Sequence, residues 1–203
     1  MRRLPLFPLP VVLFPGALLP LHVFEPRYRQ MMAYCLERDR RFGLVYHDPD
    51  RFGPFDTEPG RVGCVARIVE FQPLPDGRSL VLTEGLERFR IEDGIESGAP
   101  YFEALVEEYP DLDGARRGIV RRREASVELF HRVLQEALHH PGPLPPVSTR
   151  HETAFRLAQA VRIDPAWQQE LLETRGERAR LDRLDFLFRA ILDGDDPHET
   201  DDE

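Results

Sequence analysis

Leu19-Pro20-Leu21-His22-Val23-Phe24-Glu25-Pro26-Arg27-Tyr28-Arg29 joins a strand to a helix. Residues 18–24 form an apolar run of strand length. Pro26 then suits the first position of a helix, where its fixed φ is preorganised and its missing N–H would have had no partner. Tyr28, Met31, Met32, Cys35 and Leu36 follow at helical spacing as one apolar stripe, which predicts a helix laid over a sheet. Upstream, Leu4-Pro5-Leu6-Phe7 through Phe14-Pro15-Gly16 is apolar but punctuated by proline.

Downstream of the helix, strands continue. Residues 42–47 are apolar, and residues 62–72 carry apolar side chains on both faces, which predicts a central, buried strand. Pro75-Asp76-Gly77 predicts a turn, with residues 79–83 returning antiparallel. Glu84-Gly85 interrupts the run, residues 86–91 alternate, and residues 101–109 form the last strand candidate. Many short strands with Gly/Pro turns predict a small barrel or sandwich.

From about residue 116 the period becomes helical, through Val127, Phe130, Val133, Leu134, Ala137 and Leu138. His139-His140-Pro141-Gly142-Pro143 ends that helix, and Thr149-x-x-Glu152 has the capping-box pattern for the next. Asp164-Pro165 caps a short helix with Trp167, Leu171 and Leu172; Thr174-x-x-Glu177 opens the last, with Leu181, Leu184, Phe188 and Ile191. The expected division is a β subdomain over 1–115, a helical subdomain over 116–193, and a disordered acidic tail over 194–203.

Composition excludes several chemistries. All 27 basic residues are arginine, and the chain has no lysine and no asparagine. A phosphate-loop lysine, a Schiff-base lysine, a Ser-Lys dyad and N-glycosylation are therefore excluded. The net charge is −9, but the acids of the tail, which carries no base, account for most of it, so the body is near balance. Pro5, Pro8, Pro10, Pro15 and Pro20 break up the apolar start, so it does not read as a signal peptide. No run approaches the ~20 apolar residues of a membrane span. The expected compartment is the cytoplasm, with Cys35 and Cys64 as buried free thiols.

Several segments, in order, resemble one family. They are the opening stretch, Phe42-Gly43-Leu44-Val45, Val62-Gly63-Cys64-Val65-Ala66-Arg67-Ile68, Leu74-Pro75-Asp76-Gly77-Arg78 and Glu84-Gly85-Leu86-Glu87-Arg88-Phe89-Arg90-Ile91, followed by Leu171-Leu172-Glu173 and Arg180-Leu181. Together they resemble the N-terminal substrate-binding domain of Lon proteases, in its stand-alone form and as found in some multidomain ubiquitin ligases. The resemblance implies an α+β fold: a PUA-like β pseudo-barrel with one covering helix, followed by a C-terminal helical bundle. It implies a non-catalytic protein- or peptide-binding module without cofactor, whose partners are unfolded or peptide clients and a separate protease. The ATPase and peptidase modules of Lon do not fit in this length and both need lysines. Two distant cysteines do not supply a RING finger or another zinc domain. The expectation is a recognition module alone, not an enzyme, with the junction of barrel and helices as its binding surface.

His22, Glu25, Arg27, Gly85 and Arg88 are the candidate ligand-binding residues. Four of them also have an architectural reading. Glu25 is favoured by charge near a helix N-terminus, and Arg27 pairs either with it or with a strand acid; Gly85 suits a bulge or a positive φ; Arg88 ties two strands together. No metal site is expected, since His131 and His139 lie eight apart and no H-x-x-x-H pair exists. No G-x-S-x-G, H-E-x-x-H or phosphate loop is present. Arg116, Arg117, Arg121, Arg122 and Arg123 form the densest positive cluster. The alternative function is nucleic-acid binding through it, on a PUA-like fold; the favoured reading is a solvated helix face paired with Glu124 and Glu128.

Overall fold

The proline-punctuated opening is itself a strand, β1 (Arg2–Leu9). The computed structural model, which describes residues 1–112, 118–161 and 163–194, shows how the prolines are accommodated. Residues 2–6 pair antiparallel with β6 (Phe102–Glu108), and residues 6–9 pair parallel with β3 (Arg41–Tyr46). Pro5 and Pro8 each lie where β1 has one paired neighbour, opposite Glu103 and Val45 respectively. A residue without an N–H is tolerated where the ladder is one-sided.

The decisive stretch folds as expected: β2 (Leu18–Val23) is followed by α1 (Pro26–Leu36) with Pro26 at its start. Tyr28, Met31, Met32 and Cys35 are buried, and Tyr28 stacks on Phe7 of β1 with ring centroids 4.1 Å apart. Beyond β3, a short helix α2 (Pro49–Phe52), for which no pattern was evident, leads to β4 (Val62–Pro73). The turn forms as predicted: the Asp76 carboxylate accepts from the Arg78 N–H at 3.0 Å and Gly77 has φ of 81°.

Two strand expectations need correction. Only the inner half of β4 is buried; residues 69–73 are exposed on both faces. The return strand is one continuous β5 (Ser79–Gly94) that passes straight through Glu84-Gly85. It can do so because β5 changes partners along its length, meeting β2 with residues 79–84 and β6 with residues 89–94 while pairing with β4.

The sheet order is β2-β5-β4-β3-β1-β6, and β6 returns to pair with β5. Five strands therefore close into a ring of pairings, with β2 as an appended edge. Leu4, Leu6, Val45, Val65, Phe89, Ile91, Ala104 and Val106 form the core of this mixed sheet. Phe89 sits against two glycines: a Cβ on Gly43 or Gly63 would come within 2.6 Å of its ring. At the rim, the buried Glu103 carboxylate accepts from Arg3 at 2.6 Å and also from Ser97.

The chain divides into two compact units. One comprises Met1–Pro110 with Asp164–Glu173, so α5 (Pro165–Glu173) groups with the strands. The Asp164 side chain accepts from Ala166 N–H at 2.8 Å and caps α5 as expected. Gln169 of α5 donates to the Val62 carbonyl at 3.0 Å.

The other unit is drawn from Asp111–Ile163 and from Thr174 onward. It contains α3 (Ile119–Arg132) continued by a π-helical turn (Val133–Ala137), α4 (Thr153–Ala160) and α6 (Glu177–Asp193). Val127, Phe130, Leu157, Leu181, Leu184 and Phe188 are buried there, with the rings of Phe130 and Phe188 5.6 Å apart. Both helices begin later than the capping-box patterns place them, α4 at Thr153 behind Glu152 and α6 at Glu177 behind Gly176. Instead Glu177, expected to cap its own helix, accepts the Thr153 N–H at 2.8 Å and so satisfies the start of α4 from α6. A tertiary acceptor has replaced the local one. The acidic tail beyond Gly194, expected to be disordered, lies outside the described residues. No helix among the described residues is long and apolar enough to cross a membrane.

Burial under α1 sets an alkaline limit. It pushes the Tyr28 phenol from 10.0 up to about 12, and the Cys35 thiol from 9.0 up to about 12. Both are acids with folded values above their unfolded ones. Their stabilisation is complete below the unfolded values and is lost as pH rises through the folded ones. The chain is expected to lose about 3 kcal/mol through Tyr28 and about 4 kcal/mol through Cys35 between roughly pH 9 and 12. Circular dichroism followed against pH checks this. The Tyr28 hydroxyl has no hydrogen-bond partner among the described residues, so Tyr28→Phe should be near neutral at pH 7 and should move the alkaline midpoint upward.

Candidate functional site

Three of the five candidate residues cluster at the end of β2. His22 is exposed on β2, with its ring 5.8 Å from that of exposed Phe24. Glu25 precedes α1; its backbone carbonyl accepts from Tyr28 and Arg29, and its carboxylate accepts from Arg27 Nε at 2.9 Å. The Arg27 guanidinium also lies 4.6 Å from the centroid of the Tyr28 ring. Glu25 and Arg27 thus satisfy each other at the helix entrance.

The other two lie further along β5. Gly85 donates to the Ala17 carbonyl and accepts from Gly16, both at 2.8 Å. A Cβ at this position would come within 2.1 Å of the Phe14 carbonyl oxygen, so the segment before β2 can approach only a glycine here. Arg88 is buried; its guanidinium donates to the Leu172 carbonyl at 2.6 Å and lies 5.4 Å from the centroid of the Tyr109 ring. It joins β5 to the end of α5, a partner beyond the strands. His22 pairs with Leu80, whereas Gly85 and Arg88 lie five and eight positions further along β5. At ~3.3 Å per residue this spreads them over about 16 and 26 Å. The five residues do not converge on one site.

A different surface is concave and apolar. Pairing registers align β2, β5 and β4 in rows whose side chains share one face: Leu18·Glu84·Arg67, then Pro20·Leu82·Glu70, then His22·Leu80·Gln72. Leu18 is 62% exposed and Leu80 44%. The last two rows line a groove of about 400 Å³. The opposite face of the ribbon holds buried Val23, Ser79, Val81 and Thr83. The signal was present in the sequence: Leu80-Val81-Leu82 is apolar on both faces of a hairpin strand, more than a single core needs. Of the five candidates, His22 alone lines this groove.

Two of the five arginines of the cluster are engaged inside the helical unit. Arg122 donates to Asp182 at 2.6 Å, to Asp185 at 2.7 Å and to Ser126 at 2.7 Å. Arg123 is bound to Glu177 and donates to the Arg150 carbonyl at 2.6 Å. The expected partners Glu124 and Glu128 are replaced by acids of α6, because both arginines face the neighbouring helix rather than solvent. Arg121 is exposed; Arg116 and Arg117 lie outside the described residues. Among the described residues no three His, Cys, Asp or Glu side chains converge to hold a metal ion.

This α+β arrangement is that of Lon N-terminal domains. The Lon N-terminal domain protein from Xanthomonas campestris superposes with a TM-score of 0.65 at 25% identity, over 91% of this chain and 97% of that one. The N-terminal domain of the Mycobacterium avium complex Lon protease has a TM-score of 0.69 over 93% and 98% of the two chains; at 19% identity it shows the fold alone. A family model described as the ATP-dependent protease La (Lon) substrate-binding domain matches residues 3–187, and the chain belongs to that family. Lon protease 1 of Syntrophobacter fumaroxidans is 29% identical over 202 residues, 94% of this chain and 24% of its own length. Lon protease of Escherichia coli K12 is 27% identical over 94% of this chain and 25% of its length. The chain thus spans about a quarter of the length of the curated relatives it matches.

Proposed function

We propose that this chain is a non-catalytic recognition module that binds exposed apolar segments of unfolded proteins or peptides. The family match over residues 3–187 is the observation that carries this. On this reading the closed five-strand ring with its appended β2 plays the part of a PUA-like pseudo-barrel, and α3, α4 and α6 that of a helical bundle. Within the strand-rich unit, the groove on β2, β5 and β4 is the receiving surface, with His22 on its rim. Glu25, Arg27, Gly85 and Arg88 act by shaping the strands and helix around it. A separate protease would act on what is held.

Burial of apolar area drives such binding at about 25 cal/mol per Å², so leucines standing in the groove contribute most. Leu80→Asp places a charge there without touching the core. It is expected to leave thermal unfolding nearly unchanged and to weaken binding of a labelled, reduced and alkylated unfolded protein about tenfold or more. Fluorescence anisotropy reads the affinity. Unchanged affinity in the variant would remove the groove from the proposal; no binding by the unsubstituted chain would remove the proposal itself.

A further inference from the structure

One carboxylate in the apolar groove is left over. Glu70 is exposed, stands in the row of Leu82 and Pro20, and lines the groove. Its side chain makes no hydrogen bond or ion pair with any described residue. The acids around it are all engaged. Glu84, one row away, is paired with Arg67; Asp76 at the hairpin turn is paired with Arg78; Glu25 beyond β2 is paired with Arg27. The nearby Arg29 guanidinium lies over Gly77 at the turn and does not line the groove. The groove therefore offers apolar walls and a single uncompensated negative charge.

We propose that the groove selects extended apolar segments that carry a basic residue, with the apolar side chain over Pro20, Leu80 and Leu82 and the Lys or Arg head at Glu70. The inference rests on the client-binding reading above and adds the substrate class. Its geometry is consistent with an extended chain. Neighbouring strands lie ~4.8 Å apart, so the Pro20 and Glu70 backbones are about 10 Å apart across β5. Side chains on one face of an extended segment repeat every ~7 Å, and the stem of Lys or Arg spans the remainder while staying in apolar contact. The same carboxylate repels acidic segments, so the selection works by exclusion as well as by attraction.

Three labelled peptides of one apolar sequence, bearing Arg, Gln or Glu at a single position, test this by anisotropy titration. The Arg peptide is expected to bind roughly three- to fivefold tighter than the Gln peptide, the scale of one partly exposed ion pair, and the Glu peptide more weakly than either. Glu70→Gln should erase the ranking, and Glu70→Arg should invert it. Equal binding of all three peptides to the unsubstituted chain overturns the charge selection while leaving apolar recognition standing. So does a ranking that survives in Glu70→Gln. Binding of none of them overturns both.

Discussion

Gly85→Ala is expected to destabilise the chain by about 3–5 kcal/mol, lowering Tm by on the order of 10 °C. The added Cβ would sit 2.1 Å from the Phe14 carbonyl oxygen and 3.1 Å from Leu13 Cγ. Backbone atoms cannot rotate away as a long side chain can. Relief requires moving the 13–17 segment, whose hydrogen bonds to Gly85 at 2.8 Å anchor the entrance to β2. Gly98→Ala is the contrasting control: its φ is 75° but no atom lies within 4 Å of its added Cβ, so the cost should be about 1 kcal/mol. Thermal melts of the two variants give the comparison. A Gly85 variant of unaltered Tm with lost client binding would instead make this glycine part of the binding surface.

The second large effect is expected at Arg180. This side chain is 2% exposed and donates to both Asp111 oxygens and to the Thr174 carbonyl, each at 2.7 Å; its guanidinium lies 4.3 Å from the centroid of the Phe155 ring. Arg180→Met removes the cation and leaves a partly buried carboxylate and a carbonyl facing an apolar chain. The expected loss is about 3–5 kcal/mol, seen as a lower denaturant midpoint. Arg180→Lys should recover little, because an ammonium cannot present the planar fork that both oxygens accept. Adding Asp111→Asn to Arg180→Met should restore part of the loss, since it removes the carboxylate whose two hydrogen bonds to the guanidinium are gone. If Arg180→Met melts like the unsubstituted chain, the ion pair contributes nothing net.

Where a few residues settle the conformation by themselves, the sequence could be read directly. Pro26 before an apolar stripe is such a case, and Asp76-Gly77 in a turn and Asp164 before Pro165 are others. The misreadings share a cause: a partner distant in sequence overrides the local pattern. The opening segment with Pro5 and Pro8 points to no element by itself, and becomes legible as a strand only once the register of β1 is known. Thr149-x-x-Glu152 has the pattern of a cap, yet the acceptor that reaches Thr153 comes from Glu177. Arg122 and Arg123 have acids at helical spacing but bond across to α6 instead. Gly85 stood out in the sequence, although only the position of Phe14 gives the reason. Glu70 drew no notice for the opposite cause: one more charge on a strand means nothing until each neighbouring charge is seen to have its own partner.

The position of β1 also constrains how the chain acquires its shape. Arg3 and Glu103, which bond at the seam between β1 and β6, are 100 residues apart in sequence. Contacts of such separation form late, since a long loop must close before they contribute. At ~5–20 residues per second of synthesis, the first strand waits on the order of ten seconds for the sixth. During that interval one side of Arg2–Leu6 has no partner strand, and the apolar side chains of Leu4 and Leu6 have an unfinished core to enter. Until that closure the segment of Leu4 and Leu6 is an extended apolar stretch with an open edge, the same kind of object that the groove is proposed to hold.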